Sequence, residues 1–561
     1  MTGRSFRLRA RPRAIVPLAC LALALPRPAA GQRILGGGAD AVTLPRGSVR
    51  VTLGAEHTMQ RDRWRDGTLE GLGGNLTTDA FGRLQFSTLA SVELLVRTLG
   101  DSTFAASLGS TRLEARQRMF VTPLAIEYGV ADWLTLRARA TLVRAKAEAR
   151  FTIRTDSGRA NLGINPIALG SGVAAQNTST IAAYALASTN LLARITACQG
   201  NAAAHPECPT ILAELGAAQA LRSATGNFAA QLAQLYGTTT SDGQRFVPLA
   251  GSAAESTLVA RADALRAALV RYGVTDVTVS TGLPASAGVP VGGEELARIV
   301  RDTSWGYGYR RLNDAGLTQV GDVHLGAVIR LHDGLAARGT SRFAADARGW
   351  RQALLVEGRI GTSYPPRADR LLDQGTGSGT HAVTVRAITD LVPSSRWWAT
   401  LAVGYTVPFA RDATLRVPGA AGQVGLEAWR TGRVSVTPGG ELDVELSPRW
   451  MLGDYLALGG TWQWRRHAAD RHEYSVTSVA VGGVAQVLDA TLLDAPSAFD
   501  EHRVGLTATY STLAAQARGR RGMPFEISYV HQQSVASGTG VVPKQWQDLL
   551  VIRYYARFRA R

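Results

Sequence analysis

From Leu134 to Leu142 the chain alternates without a break: Leu134, Leu136, Ala138, Ala140 and Leu142 are apolar, and Thr135, Arg137, Arg139 and Thr141 lie between them. A period of two places the two sets on opposite faces of a β-strand. Two arginines on one face do not suit a dry sandwich core, whereas a wet lumen accepts them and a lipid-facing wall accepts the leucines. One strand decides nothing, because a half-exposed strand of a soluble sheet alternates in the same way. The pattern recurs, however, at 323–331, 354–360, 397–407, 434–446, 456–464 and 504–510, and more weakly at 48–58, 120–128, 382–391, 525–531 and 549–558. The sequence therefore predicts an all-β transmembrane antiparallel β-barrel of about twelve strands, and an even number lets both chain ends lie on one side.

The connections sort by length. If the first strand rises outward, inner turns fall at 129–132, 332–349, 392–396, 447–454 and 512–522. Outer loops fall at about 60–115, 150–316, 364–380, 408–433, 467–500 and 536–545. Short turns on one side and long loops on the other are the layout of an outer-membrane barrel. Tyr128, Trp133, Trp397, Trp398, Trp462, Trp464, Tyr554 and Tyr555 stand near predicted strand ends. Interfacial aromatic girdles occupy such positions.

Residues 160–315 have a different texture. Alanine-rich runs at 177–197, 209–223, 227–236 and 252–272 predict helices. Ser252 and Glu255 have capping-box spacing, and Tyr272-Gly273 offers a stop. The predicted organisation is strands one to three with the first outer loop at 32–159, a large α-helical insertion at 160–315, and strands four to twelve at 316–561. Two placements of the insertion are open: on the extracellular face, or folded into the lumen as a plug.

The first 31 residues read as a signal peptide. Arg4, Arg7, Arg9, Arg11 and Arg13 precede the apolar run 14–25, and Ala29-Ala30-Gly31 supplies the small residues of a cleavage site, so Gln32 is the predicted mature start. A run of about a dozen apolar residues is short of the ~20 needed for a membrane anchor. Pro17, three residues before Cys20, argues against lipidation. Export leaves Cys198 and Cys208, and an isolated close pair in an oxidising compartment reads as a disulfide. Zinc held by both with His205 is the alternative, but no fourth ligand has suitable spacing. No metal or cofactor is expected.

Formal charge falls from +17 to +11 without the six arginines of the leader, and lysine occurs only at 146 and 544. A basic exported protein can meet lipid phosphate or anionic solutes. The arginines are dispersed at strand spacing, which argues against nucleic acid.

Two stretches carry a family resemblance. Pro123-Leu124-Ala125-Ile126-Glu127-Tyr128-Gly129-Val130-Ala131-Asp132-Trp133-Leu134-Thr135-Leu136, and Gln319-Val320-Gly321-Asp322-Val323-His324-Leu325-Gly326, resemble strand-turn-strand and Gly-Asp strand motifs of the transporter-like outer-membrane barrels grouped with the MetA pathway of phenol degradation. The resemblance covers mainly 119–145 and 319–331. It implies a barrel that admits small or hydrophobic molecules across the outer membrane, and it transfers no binding residue. The helical insertion departs from the family pattern. The closing strand, with Leu550, Ile552, Tyr554, Ala556 and Phe558 on one face, resembles the signal read by barrel-assembly machinery, although Arg559-Ala560-Arg561 follow it.

The lumen is the expected working surface. Arg137, Arg139, Arg330, Arg359, Arg386, Arg503, Arg553 and Arg557 are expected to line it, facing Glu357, Asp390, Glu441, Asp443 and Glu445, with Asp322 and His324 on the same wall. Opposite charges there can constrict a pore and orient solutes, or pair and close it. The functional expectation is a channel for passive uptake of small molecules, with outer-membrane lipid as its surroundings. A non-conducting structural or surface-binding outer-membrane protein is the alternative. His324, His381, His467, His502 and His531 stand in no recognisable nucleophile motif, so an enzyme is not expected.

Overall fold

The computed structural model describes residues 38–155, 159–170, 172–311, 316–335, 348–373, 375–474, 478–481, 484–494, 497–517 and 520–557. The proposed leader, Cys20 and Phe558 lie outside them. Twelve long strands form the wall: β1 Ser48–Arg65, β2 Ser110–Ala131, β3 Leu134–Arg154, β4 Val323–Asp333, β5 Gly349–Ile360, β6 Ala382–Val392, β7 Trp397–Pro408, β8 Glu441–Leu452, β9 Leu456–His467, β10 Phe499–Ser511, β11 Phe525–Ala536 and β12 Val541–Arg557. Each pairs antiparallel with its neighbours in chain order, and a short strand, Gly316–Val320, extends the pairing along β3. The ring closes because β1 pairs on one edge with β2 and on the other with β12, Ser48 opposite Arg557. Closure removes every sheet edge from the wall.

The alternation of the sequence becomes an inside and an outside. Along β2 and β3, Tyr128, Ile126, Leu124, Phe120, Leu136 and Leu142 are exposed, while Glu127, Ala125, Thr135 and Val143 between them are buried. From Tyr128 to Phe120 the apolar stripe runs about 27 Å along the strand at ~3.4 Å per residue. On a tilted strand that length matches the thickness of a bilayer's hydrocarbon. Water does not tolerate so large an apolar belt, so this is the outer wall of a membrane-spanning barrel. Aromatics border it at both ends. Tyr128, Trp133, Trp350, Trp397, Trp450 and Tyr510 are exposed at the turn end, and Tyr405, Phe409, Trp462 and Trp546 towards the loop end.

Four sequence expectations change. The stretch 434–446 is not one strand: Pro438-Gly439-Gly440 interrupts it. Val434 and Val436 belong to a small separate sheet of Arg411–Arg416, Thr431–Thr437 and Arg471–Tyr474, and the barrel strand begins at Glu441. Trp398 and Tyr555 are not girdle residues; both are buried and face inward. The first long loop carries a helix, α1 Leu89–Leu99, whose buried Leu89, Val92, Val96 and Leu99 keep helical spacing. The insertion contains α2 Ala174–Gly200, α3 Cys208–Ala213, α4 Leu215–Tyr236, α5 Ala253–Arg271 and a further helix, α6 Gly293–Arg301; the two runs 209–223 and 227–236 fall largely within α4.

Local signals set the helix ends. The Ser252 hydroxyl accepts from the Glu255 N–H, the Glu255 carboxylate accepts from the Gly251 N–H, and Gly273 takes a positive φ after α5. The Cys198–Cys208 disulfide joins the end of α2 to the start of α3. β2 and β3 project beyond the belt, and their inward faces turn from polar to apolar at Leu113, Ala115, Ala149, Phe151 and Ile153, which pack into one core with α1 to α6. The insertion, called the cap below, packs against the loop-end extensions of β2 and β3.

Candidate functional site

The turn end of the lumen is occupied by a segment that the alternation did not announce. Residues 38–47 precede β1 and fold back inside the barrel as a strap. Its apolar side chains settle in two small clusters: Ala41 against Val328, Ala353, Leu355, Ile388 and Ala402, and Val42 and Leu44 against Val392, Trp398, Leu513 and Tyr555. Its backbone is held by side chains of the wall. Asp390 accepts from the Ala41 N–H at 3.1 Å and Glu445 from the Ala39 N–H at 3.0 Å. Thr135 accepts from the Leu44 N–H at 2.8 Å, and Arg449 donates to the Ala39 carbonyl at 3.0 Å. Gly129, part of the family-like motif, is where the strap comes closest: a Cβ there would run into the carbonyl oxygens of Leu44 and Pro45, and the Gly129 carbonyl accepts from the Gly47 N–H.

Above the strap lies a lumen cavity of about 310 Å³, whose lining includes Arg50, Arg137, Arg139, Arg386 and Arg553 with Asp40, Glu127 and Glu445. The charges pair across the wall. Arg50 bonds Glu127 and lies 3.5 Å from Asp40. Glu357 lies 3.5 Å from both Arg137 and Arg139 and 2.8 Å from His324. Arg386 meets Asp443 at 2.8 Å and Glu445 at 2.7 Å, Arg351 meets Asp390 at 2.7 Å, and Arg553 meets Glu526 at 2.6 Å. Pairing leaves donors over: Nε of Arg139 and Arg386 is shielded and has no hydrogen-bond acceptor among the described residues, and Nε of Arg137 has only its ion-pair contacts to Glu357 and Glu127.

The residues expected along the lumen thus fall into several groups. Arg137, Arg139, His324 and Glu357 form one cluster, and Arg386, Asp443 and Glu445 another. Asp390 anchors the strap. Arg503 joins Glu501 with Arg465, nearer the loop end. Glu441 stands by His467 at 3.6 Å. Arg359 donates to the Thr380 carbonyl, and Arg330 lies 3.5 Å from Asp333 by the turn. Asp322 is drawn into the 363–378 loop, accepting from the Ser363 and Ser378 N–H groups. The Arg557 side chain is outside the described residues. Sequence reasoning missed Arg50, Arg351, Arg449, Glu127 and Glu526; Arg50 and Glu127 alternate with apolar neighbours and were legible in principle.

At the loop end a second cavity of about 410 Å³ lies between the cap and the barrel mouth. Phe81, Phe86, Phe151, Tyr307, Tyr309, Val300 and Leu371 line it, and Arg301, Arg310 and Arg311 lie along its margin. Phe86 stacks on Tyr307 at 4.2 Å, and the guanidinium of Arg416 lies 3.9 Å over Tyr309. The two phenols are tied into the frame, Tyr307 to Thr88 and Tyr309 to the Leu426 N–H.

A closed twelve-strand wall, an apolar outer belt and a polar, strapped lumen define the class: a membrane-spanning β-barrel with an internal strap and a helical insertion. No protein-family model and no curated protein sequence matches the chain. Among solved structures it is similar to an outer-membrane channel from Pseudomonas putida F1, at 9% identity and a TM-score of 0.39 over 92% of this chain and 99% of that one. It is also similar to the Pseudomonas putida toluene transporter TodX (9%, 0.27, 94% and 98%) and to a Pseudomonas aeruginosa FadL homologue (8%, 0.28, 95% and 100%). At these identities and scores no residue is placed by the likeness, and the fold assignment rests on the strand pairings themselves.

Proposed function

We propose that this protein is an outer-membrane channel for passive uptake of small molecules, with a resting lumen narrowed by its own N-terminal strap. The strap carries the reading: it is a short segment, held largely by backbone hydrogen bonds to wall side chains, beneath a cavity that already exists. Releasing it opens a path without breaking the barrel. The five arginines that line that cavity are matched by the carboxylates they meet, Asp40, Glu127, Glu357, Asp443, Glu445 and Glu526, so the lumen presents paired charges of both signs to a solute. The aromatic chamber under the cap suits solutes with an apolar body. The lipid-facing belt, the cap on the extracellular side and a closing strand read by barrel-assembly machinery belong to the same proposal.

Single-channel recording in planar bilayers tests it on three forms: the mature protein, a form lacking residues 32–45, and a form lacking 165–312. The expected result is small or intermittent conductance for the intact chain and steady conductance without the strap. Loss of the cap should leave the barrel folded and ease entry at the loop end. Silence in all three, with folding confirmed by heat-dependent gel mobility, would overturn the channel and favour the non-conducting surface protein.

A further inference from the structure

The belt on the outside of β2 and β3 ends abruptly at the loop end. Below the boundary the outward positions are Leu124, Phe120 and Leu142; the next outward positions are Arg118 and Arg116 on β2, and Arg144 and Lys146 on β3. The register sets them side by side, Phe120 opposite Arg144 and Arg118 opposite Lys146. β1 pairs with β2 as far as Gln60 opposite Gln117, which brings Arg61 beside Arg116. Glu148 answers part of this charge, 2.8 Å from Lys146 and 3.6 Å from Arg118, and Asp62 faces Lys544 across β12. Cations remain in excess. The chain's two lysines, Lys146 and Lys544, both stand at this border.

The surface is concave there. β1 turns away from β2 to pair with residues 68–71, leaving a cleft of about 1050 Å³ whose walls carry Arg61, Arg112, Arg116, Lys146 and Arg150 with Asp62, Glu70, Glu114 and Glu148, so the cationic excess lies towards the belt at Arg118 and Arg144. Elsewhere on the rim aromatics such as Tyr405, Phe409 and Trp462 mark the boundary. Cations clustered where hydrocarbon meets water attract lipid phosphate, and guanidinium groups bind it through charge-assisted hydrogen bonds.

We propose that this cationic border docks one phosphorylated glycolipid of the outer leaflet. Its acyl chains would lie along Leu124, Phe120 and Leu142, and its headgroup phosphates would meet Arg116, Arg118, Arg144 and Lys146. The proposal rests on the proposed orientation of the barrel in the outer membrane, loop end outward, and is independent of conduction.

The test uses the refolded mature protein in neutral detergent, with hexa-acylated bisphosphorylated lipid A as probe and native mass spectrometry as readout. The combined variant Arg116→Gln, Arg118→Gln, Arg144→Gln and Lys146→Gln should bind at least tenfold more weakly while keeping the heat-dependent gel mobility of a folded barrel. Arg261→Gln, on the cap, should bind as the parent does. If the combined variant fails to fold, Arg144→Glu alone serves, with a loss of several-fold expected. Equal binding by parent and variant overturns the site. Equal binding of the dephosphorylated lipid overturns the role of phosphate, and phosphatidylglycerol binding as tightly as lipid A overturns the glycolipid assignment.

Discussion

Asp390 shows how one residue links wall to strap. It is fully buried, accepts from Arg351 at 2.7 Å, from the Thr400 hydroxyl at 2.7 Å and from the Ala41 N–H at 3.1 Å. Replacing it with alanine strands a buried guanidinium, a loss of about 3–5 kcal/mol when one partner of such a pair is removed. Asp390→Ala should therefore lower the urea midpoint of the gel-mobility transition and raise open probability in bilayer recordings, while Asp390→Asn, which keeps an acceptor for Ala41, should do less of both. Unchanged conductance in the alanine variant would mean that the strap does not depend on this anchor. At Gly129 the argument is steric. Gly129→Val should displace the strap and increase conductance with little change in barrel stability, since the clash is with Leu44 and Pro45 of the strap.

The cap is an element with its own chemistry. Burial pushes the phenols of Tyr184, Tyr236, Tyr307 and Tyr309 up from their ordinary value. A tyrosine freed by unfolding ionises near pH ~10, before the buried one does, so the unfolded cap gains stability as pH rises past that point. The favourable contribution is complete below about pH 10 and is lost above it. Helical circular dichroism should accordingly fall above that pH while the barrel keeps its gel mobility; loss of both together would contradict a separately stabilised cap. The disulfide acts on the same element. Closing a loop of this length is worth about 2–3 kcal/mol in the chain-entropy account, so Cys198→Ser with Cys208→Ser should hasten proteolysis around 198–210 and leave conductance intact. Phe86, buried and stacked on Tyr307, is the corresponding packing test. Phe86→Ala should cost about 3–5 kcal/mol of cap stability.

At the scale of the whole molecule, three regions share one wall: an apolar belt for lipid, a charged lumen occupied at its turn end by the strap, and an aromatic chamber lined in part by the cap. The strands were legible from sequence because inside and outside alternate every residue and the belt spans several such repeats, so each strand carries its own evidence. Strand lengths were less legible. β2 and β3 run on past the belt, where their outward residues become charged and their inward ones apolar, and the pattern reverses without a break in backbone conformation. Helix α1 had a readable apolar spacing that the surrounding loop assignment obscured, and Pro438-Gly439-Gly440 was a readable stop.

What the sequence determined by itself was local and periodic: twelve alternating strands, the alanine-rich helices with the Ser252 cap, and the proximity of Cys198 to Cys208. Tertiary structure alone decided where the strap goes and which charges meet. Gly38-Ala39-Asp40-Ala41-Val42 has no period, and its partners Asp390 and Glu445 lie 349 and 406 residues from the amides they bind. The same holds for the lumen clusters, in which Arg137 meets Glu357 and Arg386 meets Glu445. Alternation says which face a side chain takes. The curvature and closure of the ring determine what it faces, because only a closed wall brings strands distant in the chain to opposite sides of one cavity.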